Sequence, residues 1–260
     1  MSLNEEERER YRRQILIPEI GLEGQEALKK AVVLVAGAGG LGSPVLLYLA
    51  AAGVGRMIVC DRDTLERSNL NRQIIHPTEN LERQKAESAE EGIRRINPQI
   101  RISRVTESIN RENIGRIAGE SDLMVDCLDN FETRFILNRY SVDSGTPMIF
   151  AGVSGYSGQI TFLDPPRTPC LNCFIPKIPP PGGEIPILGA AAGIFGSLQA
   201  LTAVKYLTGQ STGLENRLLV FDGDHMEWAE VPLSRNPGCR SAAPAEKNSP
   251  FIINLQINPR

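Results

Sequence analysis

A doubly wound α/β sheet, mainly parallel, with an antiparallel extension in the C-terminal third, is the fold class this sequence predicts. Three observations carry the expectation. First, residues 31–36 are six unbroken apolar residues that run into a glycine-rich turn, Gly37-Ala38-Gly39-Gly40-Leu41-Gly42. A short valine-rich run of this kind suits a strand buried on both faces. Second, strand-like and helix-like segments alternate over residues 31–150, which marks a parallel sheet wound by helices on both faces. Third, the pattern changes beyond that. Eight of the 18 prolines fall within residues 164–186, and short alternating segments follow a single long apolar helix.

Taken in order, residues 5–13 are charged and helix-prone, and Pro18 stops any helix there. Residues 24–31 read as an amphipathic helix that enters the first strand. Residues 41–52 are alanine-rich and helix-compatible, and residues 56–60 form a second strand ending at Asp61. The polar stretch 62–73 is expected as a loop at the carboxyl end of the sheet, closed by Pro77. A helix over 81–96 carries Lys85 and ends at Asn97-Pro98. Residues 99–105 alternate as a third strand, and 110–118 read as a helix. Residues 121–128 form a buried fourth strand. Asp129 and Asn130 follow it, ready to cap a helix over 131–144. A fifth strand covers 146–151, and 155–164 read as an antiparallel extension. The proline-rich segment, about 164–188, is expected to cross irregularly with no helix. Residues 189–207 are rich in small apolar residues and read as a tightly packed helix, and 217–222 and 226–231 as two strands. The expected organisation is one domain over 1–240 with a weakly ordered tail over 241–260.

Composition excludes several function classes. A chain of 260 residues with 41% hydrophobic and 23% charged residues is ordinary for a globular protein with a sizeable core. A net charge of -3 argues against general nucleic-acid binding. No apolar run approaches the roughly 20 residues that a membrane span needs. The charged N-terminus lacks a signal-peptide core, so a cytoplasmic location is expected. Five irregularly spaced cysteines disfavour a disulfide framework and favour thiols or a metal site.

The glycine turn fits the G-x-G-x-x-G pattern: Gly37 for the tight turn, Gly39 for close approach to a phosphate, Gly42 for helix–strand packing. The helix that follows offers unpaired N–H groups and a positive dipole end to an anion. Asp61 is placed to bond ribose hydroxyls. A triphosphate carries more charge than one helix end neutralises and usually needs side-chain cations and a metal. Arg72 and Lys85 follow the ribose acid in the chain, and Asp129 sits at a strand's carboxyl end, where Mg2+ is commonly held. Taken singly, each has a plain alternative: two solvated cations and a helix cap. Arg12 and Arg13 read as solvated arginines on a surface helix, and His76 and His225 as surface or loop histidines without a role.

The chain resembles the MoeB/ThiF/HesA family, bacterial relatives of ubiquitin-activating enzymes. The resemblance rests on Arg13-Gln14-Ile15-Leu16 with Pro18-Glu19-Ile20-Gly21, the glycine turn, and Ala51-Ala52-Gly53-Val54-Gly55. It also rests on Asp61-Arg62-Asp63, Ser68-Asn69-Leu70-Asn71-Arg72-Gln73, Lys85, Asn97-Pro98 and Asp126-Cys127-Leu128-Asp129-Asn130 with Thr133-Arg134. Cys170-Leu171-Asn172-Cys173, Gly196-Ser197-Leu198-Gln199-Ala200 and Phe221-Asp222-Gly223 complete it, so it covers residue 11 to about 240.

The resemblance implies an adenylyltransferase. Such enzymes use ATP and Mg2+ to activate the C-terminal Gly-Gly carboxylate of a ubiquitin-like sulfur-carrier protein as an acyl-adenylate, with release of pyrophosphate, as in molybdopterin or thiamine synthesis. It implies a nucleotide site of Gly37, Gly39, Gly40, Gly42, Asp61, Asp63, Ser68, Asn69, Arg72, Gln73, Lys85, Asp129 and Asn130. Asn69, Arg72 and Lys85 would contact phosphates, Asp129 would bind Mg2+, and Arg13 would reach the phosphates of the other subunit of a homodimer.

Three departures stand out. Family members hold structural Zn2+ with two CxxC pairs. Here Cys170 and Cys173 form one pair, while Cys239 is followed by Arg240-Ser241-Ala242, so the fourth ligand is missing. Either three thiolates hold the metal or Zn2+ has been lost. The crossing segment lacks the cysteine that many members carry, so a covalent thioester is not expected and a separate sulfur donor is. Leu128 stands where the family usually has threonine. The alternatives are adenylation of a peptide or RNA-borne carboxylate, a nicotinamide dehydrogenase supported by the glycine turn alone, and a non-catalytic nucleotide-binding relative.

Overall fold

The computed structural model describes residues 2–177 and 184–239. Two short helices, α1 (Glu5–Arg10) and α2 (Arg12–Ile15), precede α3 (Gly21–Lys30), β1 (Val32–Ala36), α4 (Gly42–Ala52) and β2 (Arg56–Cys60). Next come α5 (Lys85–Ile96), β3 (Arg101–Val105), α6 (Ile114–Ala118), β4 (Leu123–Asp126), α7 (Phe131–Ser144) and β5 (Met148–Ser154). The chain then forms β6 (Ser157–Leu163), α8 (Leu171–Phe174), α9 (Gly189–Leu207), β7 (Arg217–Asp222) and β8 (Glu227–Pro232).

The strands form an 8-stranded sheet in the order β3-β2-β1-β4-β5-β6-β7-β8. β1 pairs in parallel with β2 and β4, β2 with β3, and β4 with β5. From β5 onward every pairing is antiparallel. The doubly wound parallel sheet and its C-terminal antiparallel extension are therefore both present.

Side chains alternate across each strand, and the alternation divides the core in two. Val33, Val35, Met57, Val59, Leu123, Val125 and Ile149 face one side, where α4, α5 and α9 contribute Leu46, Leu49, Ile93, Phe195 and Ala203. Leu34, Ile58, Met124, Met148 and Phe150 face the other, against Ile114, Ile117, Leu137, Leu171 and Phe174. Burial on both faces is why β1, β2 and β4 read as continuous apolar runs.

Two expectations are corrected. The proline-rich crossing segment does hold a helical turn, α8, in the proline-free stretch between Pro169 and Pro176. Residues 178–183 of that segment lie outside the described residues, as does the tail 241–260. The helix carrying Lys85 starts at Lys85 itself, not at residue 81. The residues before it pair back on the loop after β2: Glu82 N donates to Leu65 O (2.9 Å) and Leu65 N to Arg83 O (2.9 Å). Among the described residues no helix is long and apolar enough to cross a membrane.

Candidate active site

The site forms at the carboxyl ends of β1, β2 and β4, where the glycine turn leads into α4. Gly37 has φ +99°, and a Cβ there would stand 2.6 Å from the Cys127 carbonyl oxygen. A Cβ on Gly42 would overlap the carbonyl of Gly37. The first and third glycines of the pattern are thus required by conformation and close approach.

Three bonds fix the turn. Gly37 N donates to Cys60 O (2.8 Å), and Ser43 N donates to Gly39 O (2.9 Å). Ala38 N donates to Asp61 Oδ2 (2.8 Å), while Asp61 Oδ1 accepts the Asp63 amide (2.9 Å). Burial pushes the Asp61 carboxyl up, against those two amides and Lys85. Among the described residues, the amides of Gly39, Gly40 and Leu41 have no acceptor. They lie at the N-terminal end of α4, whose preceding residue supplies no side-chain cap. Free amides at the positive end of a helix dipole make a site for an anion.

The polar loop after β2 brings side chains to the same rim. Arg72 lies beside the turn: a Cβ on Gly40 would stand 3.5 Å from its Cγ. Its Nη1 donates to Ser68 O (2.9 Å) and Asn71 Oδ1 (3.1 Å). Gln73 is buried with Nε2 3.6 Å from where a Gly39 Cβ would stand, and its Oε1 has no partner. Asn69 is buried and bonds the Glu66 amide (3.1 Å), and the Ser68 hydroxyl donates to Glu66 (3.3 Å). Lys85, 7% exposed, donates from Nζ to Asp63 Oδ2 (3.1 Å).

Asp129 follows β4 and is exposed. Asn130 caps α7 by accepting the Thr133 amide (2.9 Å), and its Nδ2 lies 3.5 Å from Asp129 Oδ1. Leu128 packs into the second-face core, and its backbone is held at both ends. Its N–H donates to Asp126 Oδ1 (3.0 Å), and its C=O accepts Nε (3.2 Å) and Nη2 of Arg134. Asp126 is wholly buried, 3.7 Å from Arg134 Nε, with Oδ2 unpartnered.

His76 is not a surface histidine. It is 5% exposed, with Nε2 2.8 Å from Ala38 O and Nδ1 2.9 Å from Ser88 Oγ. The sequence does not mark it, because a histidine in a polar loop carries no periodic signal. Asp126 and Arg134 stand out in the sequence only within the matched blocks. His225 is exposed and bonds Asp222 (3.0 Å).

Arg13 is not brought to this rim within its own chain. Its neighbour Gln14 bonds Ala52 O (3.0 Å) at the C-terminal end of α4, about 15 Å along the helix from the turn.

Cys170, Cys173 and Cys239 converge away from the strand runs that hold Cys60 and Cys127. The Sγ atoms of Cys170 and Cys173 are 3.8 Å apart, those of Cys170 and Cys239 3.6 Å, and all three lie within 4.8 Å of one another. A tetrahedral site with Zn–S bonds of about 2.3 Å has S···S edges of about 3.8 Å, so the donor set fits Zn2+. The hydrogen bond from Cys170 lowers the Cys173 thiol to about 5, and the same contact with burial raises Cys170. Ala242, where a fourth ligand would stand, lies outside the described residues. Cys60 and Cys127 are buried; burial pushes the first up to about 12 and the second well above its ordinary value.

A glycine turn with free amides, an acid at the end of the neighbouring strand, and cations on the following loop define a nucleotide-binding doubly wound α/β protein. The chain belongs to the ThiF family, whose model matches residues 11–241. It is 39% identical over 249 residues to a sulfur carrier protein adenylyltransferase of Thermus thermophilus, covering 92% of each chain. It is 36% identical to the sulfur carrier protein ThiS adenylyltransferase of Escherichia coli, covering 91% of this chain and 96% of that one. It is 39% identical to the SAMP-activating enzyme E1 of Haloferax volcanii, covering 92% and 90%. Among solved structures, E. coli MccB with MccA-N7isoASN superposes with a TM-score of 0.82 at 23% identity, over 90% of this chain and 74% of that one. This last likeness is one of fold.

Proposed function

We propose that this chain is an ATP-dependent adenylyltransferase that activates the C-terminal Gly-Gly carboxylate of a ubiquitin-like sulfur-carrier protein. The observation that carries the reading is the rim itself: unpaired amides at Gly39, Gly40 and Leu41 beside Arg72, with Lys85 and Asp63 joined to the turn through Asp61. The names of relatives at 36–39% identity over most of the chain support it.

The turn amides bind the phosphate chain, Asp61 and Asp63 lie toward the ribose, and Gln73 Oε1 awaits a donor. Ser68 and Asn69 hold the loop that carries Arg72. A carboxylate oxygen of the carrier attacks the α-phosphorus; the bond from phosphorus to the bridging oxygen breaks, and its electron pair leaves on pyrophosphate. Two anions must meet in line, so the protein's contribution is positioning and neutralisation of charge. Mg2+, when bound through Asp129 beside Asn130, supplies further neutralisation of the phosphates. Exposure of Asp129, with one long contact from Asn130, leaves it oxygen lone pairs for that role.

The active form is a homodimer in which the partner subunit's Arg13 completes the site. The support is that Arg13 is exposed and remote from the turn of its own chain. Cys170, Cys173 and Cys239 hold Zn2+ through three thiolates. Cys60 and Cys127 are too buried to form a thioester, so sulfur comes from a separate donor. The location is cytoplasmic.

The test is ATP–pyrophosphate exchange with a Gly-Gly-ended carrier. Exchange should depend on carrier and Mg2+, and Lys85→Gln should lower it on the order of 10²–10³-fold, by analogy with a lost oxyanion donor. Exchange supported by a short peptide and by no carrier would overturn the substrate assignment.

A further inference from the structure

We propose that His76 is a positioning residue that aims the glycine turn's amides at the triphosphate; the role in catalysis rests on the adenylation reading above. The argument starts from the planar trans peptide between Ala38 and Gly39. In such a unit C=O and N–H point in opposite directions. Whatever holds the Ala38 carbonyl inward therefore turns the Gly39 N–H outward, to the rim where no protein acceptor meets it. His76 Nε2, 2.8 Å away, holds that carbonyl.

A flip of this peptide would present a carbonyl oxygen to phosphate, reversing attraction into repulsion. Asp61 secures the preceding amide (Ala38 N to Oδ2, 2.8 Å). Residue Ala38 is thus held on both sides, and both holders come from the connection between β2 and α5.

The tautomer follows from the same contacts. A carbonyl can only accept, so Nε2 carries the hydrogen. Nδ1 is then an acceptor for the Ser88 hydroxyl at 2.9 Å. Ser88 Oγ receives Asn80 Nδ2 at 3.0 Å, which leaves its own hydrogen for His76. Asn80 Nδ2 also donates to Glu91 (2.9 Å), and Asn80 Oδ1 accepts from Arg83 (2.9 Å). Arg83 and Glu91 close the chain as an ion pair at 2.7 Å. Each polar group in this relay, from Glu91 and Arg83 through Asn80, Ser88 and His76 to Ala38 O, is matched, so only one orientation of the imidazole satisfies them all. Burial lowers the pKa of the ring and so favours its neutral form, with Lys85 acting in the same direction and the Ala38 carbonyl opposing.

The test combines one spectroscopic and one kinetic readout. The chain has 2 histidines, so 15N-histidine labelling gives a simple spectrum in the unaltered protein. The expected result at pH 7 is a neutral Nε2–H ring for the buried histidine. An Nδ1–H ring overturns the proposal.

For kinetics, His76→Leu removes the donor and His76→Gln keeps an N–H of similar reach. In pyrophosphate exchange His76→Leu should raise KM for ATP about 10–100-fold, the range for orphaning one buried acceptor. KM for the carrier should stay within about twofold, and His76→Gln should recover most of the loss. Direct ATP binding by calorimetry should follow the same order. If His76→Leu fails to fold, Ser88→Ala leaves the ring but frees the other tautomer, and should raise KM for ATP about 3–10-fold. Unchanged ATP parameters in a folded donor-less variant, or equal losses in His76→Leu and His76→Gln, refute the role. Absence of exchange in the unaltered protein counts against adenylation instead, and leaves the spectroscopic and ATP-binding tests of His76 standing.

Discussion

Arg134→Met should destabilise the protein severely, and restoring charge balance at Asp126 should reverse much of the loss. Arg134 has 7% side-chain exposure and Asp126 none, with 3.7 Å between Nε and Oδ1. At that separation, with an effective dielectric near 20, the attraction is about 4 kcal/mol. Removing one member of a buried pair typically costs about 3–5 kcal/mol, because the other charge stays buried. The guanidinium also bonds Leu128 O and lies 4.9 Å from the Phe150 ring centre. These contacts overlap with the ion pair, so we take about 3–5 kcal/mol for the whole change, or a fall in Tm of roughly 6–20 °C for a chain of this size. The assay is thermal and urea unfolding of Arg134→Met, Asp126→Asn and the double variant. The double variant should lie about 2 kcal/mol above Arg134→Met.

pH supplies a second reading of the same pair. Burial raises the folded pKa of Asp126, while Arg134 opposes the rise. A raised carboxyl contributes stability that is full below its unfolded value, near 3.9, and lost as pH climbs through the folded value. Without Arg134 the folded pKa rises further, so the deficit of Arg134→Met should narrow between pH 7 and pH 5. A coupling below about 0.5 kcal/mol, with a deficit independent of pH, would refute the reasoning.

Three further outcomes are expected. Burial lowers the folded pKa of His76 below its unfolded 6.5, so its contribution is full above 6.5 and lost as pH falls; His76→Gln should flatten the Tm profile between pH 6.5 and 5. Lys85 faces the ring from α5, Asp61 lies beyond Ala38, and Arg83 and Glu91 act through Asn80. His225, raised by its bond to Asp222, has the opposite sign and cancels between the two proteins. Gly42→Ala places a methyl against the Gly37 carbonyl; it should cost about 1–3 kcal/mol in urea unfolding and weaken ATP binding, and a neutral outcome would show that the turn relaxes. Ellman titration of the native protein at pH 8 should find at most three fast thiols, because Cys60 is pushed to about 12 and burial raises Cys127 well above its ordinary value. Five fast thiols without denaturant would contradict that burial.

Elements whose ends are set by local chemistry were legible in the sequence. α7 begins where Asn130 caps it and ends where Gly145 adopts φ +76°, and its expected span matches. α9 and β7 match as well, the first bounded by Gly189 and the second by the turn at Gly223. Ends set by contacts distant in sequence were not. α5 starts at Lys85 because residues 82–84 pair with 64–65, with Glu82 at φ +67°. β5 runs on to Ser154 because β6 returns against it as a hairpin. α8 is not legible in the proline content of the whole segment, because one turn needs only four residues free of proline.

The same division explains which parts of the site were visible. The glycines, Asp61, Arg72 and Lys85 are residue types that announce phosphate chemistry by themselves. The residues that aim them do not. Ala38 and Leu128 are apolar, yet each is held at its N–H by a carboxylate and at its C=O by a nitrogen base or cation. Ala38 is the harder case, since its holder His76 is 38 positions away. In both loops a buried ionisable group does what a rigid side chain cannot. It fixes a peptide plane, and through it the direction in which the next residue, Gly39 or Asp129, leaves the loop. If that is their purpose, variants at His76 should move ATP parameters and leave Asp126–Arg134 coupling intact. Variants at Arg134 should instead shift the Mg2+ dependence of exchange more than the affinity for free ATP.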